Sequence, residues 1–474
     1  VDNSNVKNTN LVTILTISTL ILLISSILRH ELFNSSGDLA FFDQCIYLIS
    51  QGKNPISSVL GFHALADHAA WILYPIALLY KIYPTVYWLF LVQSLALAAG
   101  IIPTYFLAKH AGLKQNQTIA MMIVYLLYPV VYNSNLCDFH PDTIAIPALL
   151  TAVLAARRKK ILWFCTSILI VLGCKAVLSL TVTSMGIWLL FFEKRHDRKD
   201  EKKYLYGVIA IISGVAWFLI SNKMIIPFFG NETALVNRHL YRYSYLGKSF
   251  SEMIQIFIYQ PEIILKNIFS AINLEYIICL LLPVIWGLKP QYISPLVAAI
   301  PCLALNILAD HPTQKNLVLH YSLPIIPFLI ISLIASLQAG KAWVQQKRLI
   351  ILWSLICFFA LGKWGFFISK YIKSVDNLLA TQQAISLIKT QDSIFTTDII
   401  TPHLTHRELI SFKYNINHNI NELNKFHYIL LNIRYPGWAA SVENYLDLIK
   451  RLQNNREYQL RYQKDDVYLF IKNL

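Results

Sequence analysis

The sequence is poor in charge, and poorest in acid. Of its 474 residues only 14% are charged and 56% are hydrophobic, whereas a soluble domain carries about 25% charged residues. That shortage excludes a water-soluble globular enzyme. Paired cysteines are missing too. Cys45, Cys137, Cys165, Cys174, Cys279, Cys302 and Cys357 are scattered without a CxxC pair, so neither a zinc knuckle nor a disulfide framework follows. The spacing of Cys45 and Cys137 does not by itself establish a bridge. No GxSxG, HExxH or P-loop pattern occurs, which removes serine-hydrolase, zinc-protease and nucleotide-hydrolysing chemistry. Low-complexity tracts and internal repeats are lacking as well.

What the chain has instead is apolar runs, with a mean hydropathy of +0.49. They cover Leu11–Leu28, Thr85–Ala108, Gln117–Tyr132, Thr143–Ala156, Ile161–Cys174, Val177–Phe192, Tyr204–Ser221, Asn273–Leu288, Tyr292–Ala309, Tyr321–Gln338 and Leu349–Ser369. The pattern predicts an α-helical polytopic membrane protein with about 11 transmembrane helices. The first run has no small-residue cleavage site after it and reads as a retained anchor. In a soluble protein the net charge of +15 would suggest nucleic acid. Here the basic residues sit in short loops and set topology, so no nucleic-acid partner is expected.

Three basic loops fix the orientation: Arg157–Lys160, Glu193–Lys203 and Lys341–Arg348 belong in the cytoplasm. Counting from these loops and from a cytoplasmic N-terminus agrees only if Ala69–Tyr83 does not cross. That segment is expected to lie along the outer interface, anchored by Trp71, Tyr74, Tyr80 and Tyr83. Four polar segments then share the outer face: Gly37–His68, Asn133–Asp142, Asn222–Ser270 and Asp310–His320. The expected division is a transmembrane domain over 1–370, with external loops at 29–84 and 222–272, and an extracytoplasmic α/β domain over 371–474. In the latter, Asn377–Lys389 and Ser441–Asn454 read as helices, Ser393–Thr397 and Tyr428–Arg434 as strands, and Tyr458–Tyr462 with Val467–Lys472 as a hairpin. It has no Gly-rich nucleotide loop.

Ionisable residues beside a bilayer are expensive, so those on the outer face are the functional candidates. Asp38 and Asp43 follow the first run. Either suits a general base, a metal ligand or, for Asp38, a helix cap. His63, Asp67 and His68 form HxxxDH, with His63 and Asp67 at i, i+4 as metal candidates, although spacing fixes no third ligand. Asp138, His140 and Asp142 cluster in DFHPD, which also suits an ordinary helix start. Lys175 follows Gly173–Cys174 and reads either as a phosphate contact or as a snorkelling lysine. Arg238, His239 and Arg242 suit the same anion, or a solvated surface. His320 opens a helix near the outer surface.

Together, DLAFFDQ, SQGKNPISSVLG, LADHAAWILYPIALLYKIYP, LYPVVYNSNLCDFHPDTIAIP and the Lys175 turn resemble a family of uncharacterised bacterial polytopic membrane proteins known as a domain of unknown function. Thr401–Arg407, TPHLTHR, looks like that family's tail domain. The family is in turn similar to the GT-C glycosyltransferases. The resemblance implies a GT-C-like fold with interfacial helices in the first external loop, often with a soluble C-terminal domain. It also implies a polyprenyl-phosphate sugar donor, a catalytic acid in the first external loop (Asp38 first, Asp43 second) and a divalent metal in some members. The reading is a glycosyltransferase at the outer face of the bacterial plasma membrane, acting on a glycan, lipid or protein. In it, His68, Asp138, His140, Lys175, Arg242 and His320 contact substrate. A lipid or solute transporter or flippase is the rival, disfavoured because charges gather at the outer ends and no repeat is seen. The family usually reads Lys-Glu-Asp at the inter-helix turn, whereas Lys175 is followed here by Ala176 and Val177. That departure keeps a non-catalytic envelope scaffold as a third reading.

Overall fold

Helix follows the apolar runs. The computed structural model describes residues 2–193, 202–230, 240–247, 250–412, 420–437 and 440–473, and every run named above carries helix. Arg238, His239 and most of the basic loop after Glu193 lie outside the described residues. Among those described, Leu11–Glu31, Tyr87–His110, Gln115–Leu136, Tyr204–Phe229 and His320–Gln338 are long and apolar enough to cross a membrane. A sixth span results if the bent pair Pro261–Ile268 and Ala271–Val284 counts as one. This is fewer than the eleven expected, because several runs are cut short by turns. Ile161–Cys174, for example, has 14 residues and ends where Lys175 takes an extended backbone, so it covers roughly 21 Å of a core of about 30 Å. Its Leu162, Trp163 and Leu169 are nonetheless exposed, as side chains facing lipid are.

The chain forms two compact units. One comprises Val1–Ile24, Leu65–Ile72 and Leu91–Lys363; the other comprises Ser25–Ala64, Leu73–Phe90 and Trp364–Leu474. The first unit is helical. A close crossing joins Leu178–Ile187 to Lys202–Ile220, where a Cβ on Gly186 would come within 2.7 Å of the Gly207 carbonyl oxygen. Small residues permit such close backbone approach without a hydrophobic driving force between helices.

The second unit is mixed. The Gly37–Ser50 helix is followed by a short antiparallel pair, β1 (Ile56–Ser57) and β2 (Phe62–His63). The Leu73–Ile82 helix has 10 residues, too short to span at 1.5 Å per residue. Tyr80 is not the interfacial aromatic expected of it. The residue is 1% exposed, whereas Tyr83 is 67% exposed. The C-terminal part holds β3 (Ile394–Thr396), β4 (Ile410–Ser411), β5 (Tyr428–Asn432), β6 (Tyr458–Lys464) and β7 (Val467–Lys472), in the order β4-β3-β5-β7-β6. Strands β3, β4 and β5 are parallel, while β7 runs antiparallel to β5 and β6.

Alternation along β5 sends Tyr428 and Leu430 to a core with Ala380, Ala384, Phe33 and Phe412. Ile429 and Leu431 go to the opposite core, with Tyr445, Leu448 and Leu452 of the Val442–Gln453 helix. That helix is capped by Ser441, whose side chain accepts from the Asn444 amide. The β6–β7 hairpin turns at Asp465 and Asp466, both with positive φ, as a two-residue hairpin turn requires.

Candidate active site

In the first unit, Lys175 is the centre of a buried polar cluster. Its ammonium donates to Asp142 Oδ2 at 2.6 Å and lies 3.1 Å from His320 Nε2, which is itself 3.4 Å from the same carboxylate oxygen. Lys175 ends the Ile161–Cys174 helix, Asp142 begins Asp142–Arg157 and His320 opens a short 3-10 turn. Three chain breaks thus deliver one ionisable group each. The imidazoles of His140 and His320 stack at 3.7 Å between centroids. His140 Nδ1 is held by the Asp138 carbonyl at 2.7 Å, and its amide donates to Gln93 Oε1 at 3.1 Å. Backbone bonds from Ala176 to His68 and from Ile72 to Gly173 stitch segment 65–72 to the Lys175 turn. Gly173 is needed there, since a Cβ would meet the Trp71 ring at 2.6 Å. His68 pairs with Asp67 at 3.1 Å.

Arg242 stands apart chemically. Its guanidinium lies over the rings of Tyr321 at 5.4 Å and Tyr241 at 5.6 Å, and among the described residues it has no carboxylate partner. His320 lies within electrostatic range of His140, Lys175, His68 and Arg242. The residues selected from the sequence as substrate contacts, His68, Asp138, His140, Lys175, Arg242 and His320, therefore all belong to this one cluster. Asp142, Lys175's direct partner, did not make that selection, because an acid at a helix start usually reads as a cap.

A donor set able to hold a metal lies in this cluster. Cys137, His140 and His320 each offer a ligand atom within 4.8 Å of the others. His320 Nδ1 is buried without a partner among the described residues, and His140 has one ring nitrogen committed to a backbone carbonyl, the arrangement that orients a metal-bound imidazole. Sulfur and imidazole suit zinc rather than magnesium. The sequence candidates Asp67 and His63 are not in this group: Asp67 faces His68, and His63 is buried in β2 of the second unit.

In the second unit, the two acids of the Gly37–Ser50 helix differ. Asp38 is exposed on the first turn. Asp43 is 1% exposed and accepts three side chains: the Tyr80 hydroxyl at 2.5 Å, the Thr405 hydroxyl, and His406 Nε2 at 3.2 Å. The next residue, Gln44, donates to the Arg407 carbonyl at 3.0 Å, so Asp43-Gln44 grips Thr405–Arg407. A cavity of about 310 Å³ opens beside them, lined by His30, Asp43, Tyr87, His403, Thr405 and His406 among others. Burial works against the charged imidazolium of His406, but Asp43's charge and hydrogen bond outweigh it and raise its pKa. Burial, then His30, holds the His403 pKa well below the usual histidine value. His403 stacks on His30 at 3.8 Å. Sequence reasoning assigned no role to His30, His403, Thr405 or His406; the only signal was the TPHLTHR stretch.

A profile of the family described as "Predicted membrane protein (DUF2079)" matches residues 29–469. The chain belongs to this family. No curated protein matches it. Among solved structures, ArnT from Cupriavidus metallidurans bound to undecaprenyl phosphate is similar at TM-score 0.59 and 9% identity, covering 98% of both chains. The apo state of the same protein aligns at TM-score 0.58 and 10% identity, over 98% of both chains. At such identity the likeness is one of fold: this DUF2079 chain has a GT-C-like fold.

Proposed function

We propose that this DUF2079 protein is a membrane glycosyltransferase. It takes a sugar from a polyprenyl-phosphate donor and passes it to a hydroxyl of a glycan, lipid or protein at the outer face of the bacterial plasma membrane, where the C-terminal sheet domain also lies. The observation that carries this reading is Arg242. A guanidinium held between two tyrosine rings, with no carboxylate partner among the described residues, sits in electrostatic range of the buried Lys175–His320 cluster. Planar donors of this kind match phosphate oxygens. Arg242 and Lys175 stabilise the phosphate as its leaving charge grows, while His68, Asp138, His140 and His320 position it. A metal at Cys137, His140 and His320 would supply further positive charge there. In the second unit, Asp38 and Asp43 are the two candidate acids for the acceptor side, and the variants Asp38→Asn and Asp43→Asn decide between them. The ArnT likeness is consistent with this reading, since that fold was seen with undecaprenyl phosphate bound.

The test is retention of undecaprenyl phosphate by the purified full chain, read by native mass spectrometry. Arg242→Ala should weaken retention about 10- to 100-fold, the loss of one hydrogen bond to a charged group, with the fold intact. Equal retention by wild type and variant, or none by either, sinks the reading.

A further inference from the structure

Asp43 is poorly placed to take a proton itself. Tyr80 and His406 fill one of its oxygens, and Thr405 and His406 fill the other. It is also almost wholly buried. His406 has the opposite character. Its side chain is 26% exposed and it lines the cavity of about 310 Å³. Nε2 is committed to Asp43, and the other ring nitrogen has no hydrogen-bond partner among the described residues. The ring plane is fixed by Tyr47, stacked at 4.8 Å and 9°, and by the edge of Tyr80 at 5.8 Å.

We propose that Asp43 and His406 form a proton-accepting dyad, with His406 as the catalytic residue that takes the proton of a hydroxyl bound in this cavity and Asp43 as the positioning residue behind it. The logic is that of any buried acid orienting an imidazole base. Asp43 holds the proton on Nε2, so the lone pair lies on Nδ1. The inference rests on the glycosyltransferase reading for its chemistry. The acceptor O–H gives its proton to Nδ1 and the acceptor oxygen bonds to the sugar's anomeric carbon. The bond from that carbon to the phosphate oxygen breaks, and its electron pair leaves with the polyprenyl phosphate. The groups facing His406 are Asp43 and Tyr47 from the Gly37–Ser50 helix, Tyr80 from Leu73–Ile82 and Arg407 beside it. His30 and His403 also line the cavity. Asp43's carboxylate dominates that set and favours a His406 that titrates above the ordinary histidine range.

The experiment has two arms on the full-length protein in nanodiscs. In the first, diethyl pyrocarbonate labelling of neutral imidazoles is mapped by mass spectrometry from pH 5 to 9. His406 should label with a midpoint above the usual value of about 6.5, and in Asp43→Asn that midpoint should fall. His403, held neutral throughout that range, should show no such midpoint, and circular dichroism reports that the variant is still folded. In the second, sugar transfer from an undecaprenyl-phosphate sugar is followed. His406→Ala should lower kcat about 100-fold or more with KM unchanged, and the pH midpoint of kcat/KM should move in Asp43→Asn as the labelling midpoint does. An unmoved labelling midpoint in Asp43→Asn, or full transfer by His406→Ala, overturns the dyad. Wild-type protein that transfers nothing defeats the glycosyltransferase reading, while the labelling arm still decides the dyad.

Discussion

The Lys175 cluster and the Asp43 pocket solve the same problem, buried charge, by different means. Around Lys175 the three central ionisable groups, Lys175, Asp142 and His320, come from breaks between apolar helices, and the central ion pair has both members at most 7% exposed. Around Asp43 the acid is held by neutral hydroxyls and by one imidazole that keeps an exposed side. A fully sealed pair is costly to open, whereas a hydroxyl-lined acid with a titrating neighbour adjusts to a ligand. The first arrangement suits a fixed anchor and the second a group that exchanges protons.

The largest test of that contrast is Lys175→Ala. Removing one partner of a buried pair leaves Asp142 uncompensated, and a loss of about 3–5 kcal/mol is expected, measured by unfolding in mixed micelles. Lys175→Ala combined with Asp142→Asn should recover much of the stability without recovering undecaprenyl-phosphate retention. Recovery of both would make Lys175 a structural residue only.

The two clusters also differ in how far the sequence discloses them. His68, His140, Lys175 and His320 stand out because an ionisable residue amid apolar runs has few innocent explanations, and chain breaks on one face of a helix bundle converge. Thr405 and His406 lie in a polar C-terminal stretch where such residues are ordinary, some 360 positions from Asp43. Spacing carries no information over such a separation. The family resemblance drew on DLAFFDQ and TPHLTHR separately, and the structure shows that Asp43-Gln44 of one holds Thr405–Arg407 of the other. The β6–β7 hairpin was legible because its turn chemistry is local. Which apolar runs stay unbroken long enough to span was not, since hydropathy does not register the turns that shorten helices. Tyr80 was misread because an aromatic next to a lipid boundary and one bonded to a buried acid have the same sequence context.

Acid and alkali should separate the two imidazoles of the second unit. His406 has a raised folded-state pKa. Its contribution is therefore fully present below the unfolded value of about 6.5 and is lost as pH rises through the folded value. His403 has a lowered one, so its contribution is present above about 6.5 and is lost as pH falls toward the folded value. The stability lead of wild type over His406→Gln, about 1.5 kcal/mol for a hydrogen bond to a charged group, should shrink as pH climbs from 6 to 9. Against His403→Gln, wild type should instead lose ground on acidification from 7 to 5. Parallel pH curves for the two variants would mean that the pocket does not distinguish its histidines.

The smallest effect is expected at Asp38, and it sharpens the comparison most cheaply. As an exposed acid in the first turn of Gly37–Ser50, it interacts with the helix dipole at about 0.3–1 kcal/mol. Asp38→Asn should therefore lower stability by no more than that. If proton transfer belongs to the Asp43–His406 pair, Asp38→Asn should also retain most of the sugar transfer and its pH profile, while Asp43→Asn shifts that profile. Abolition of transfer by Asp38→Asn, with Asp43→Asn unaffected, would move the base to the first turn of the helix and leave Asp43 the task its geometry already performs, holding Thr405 and His406 in place.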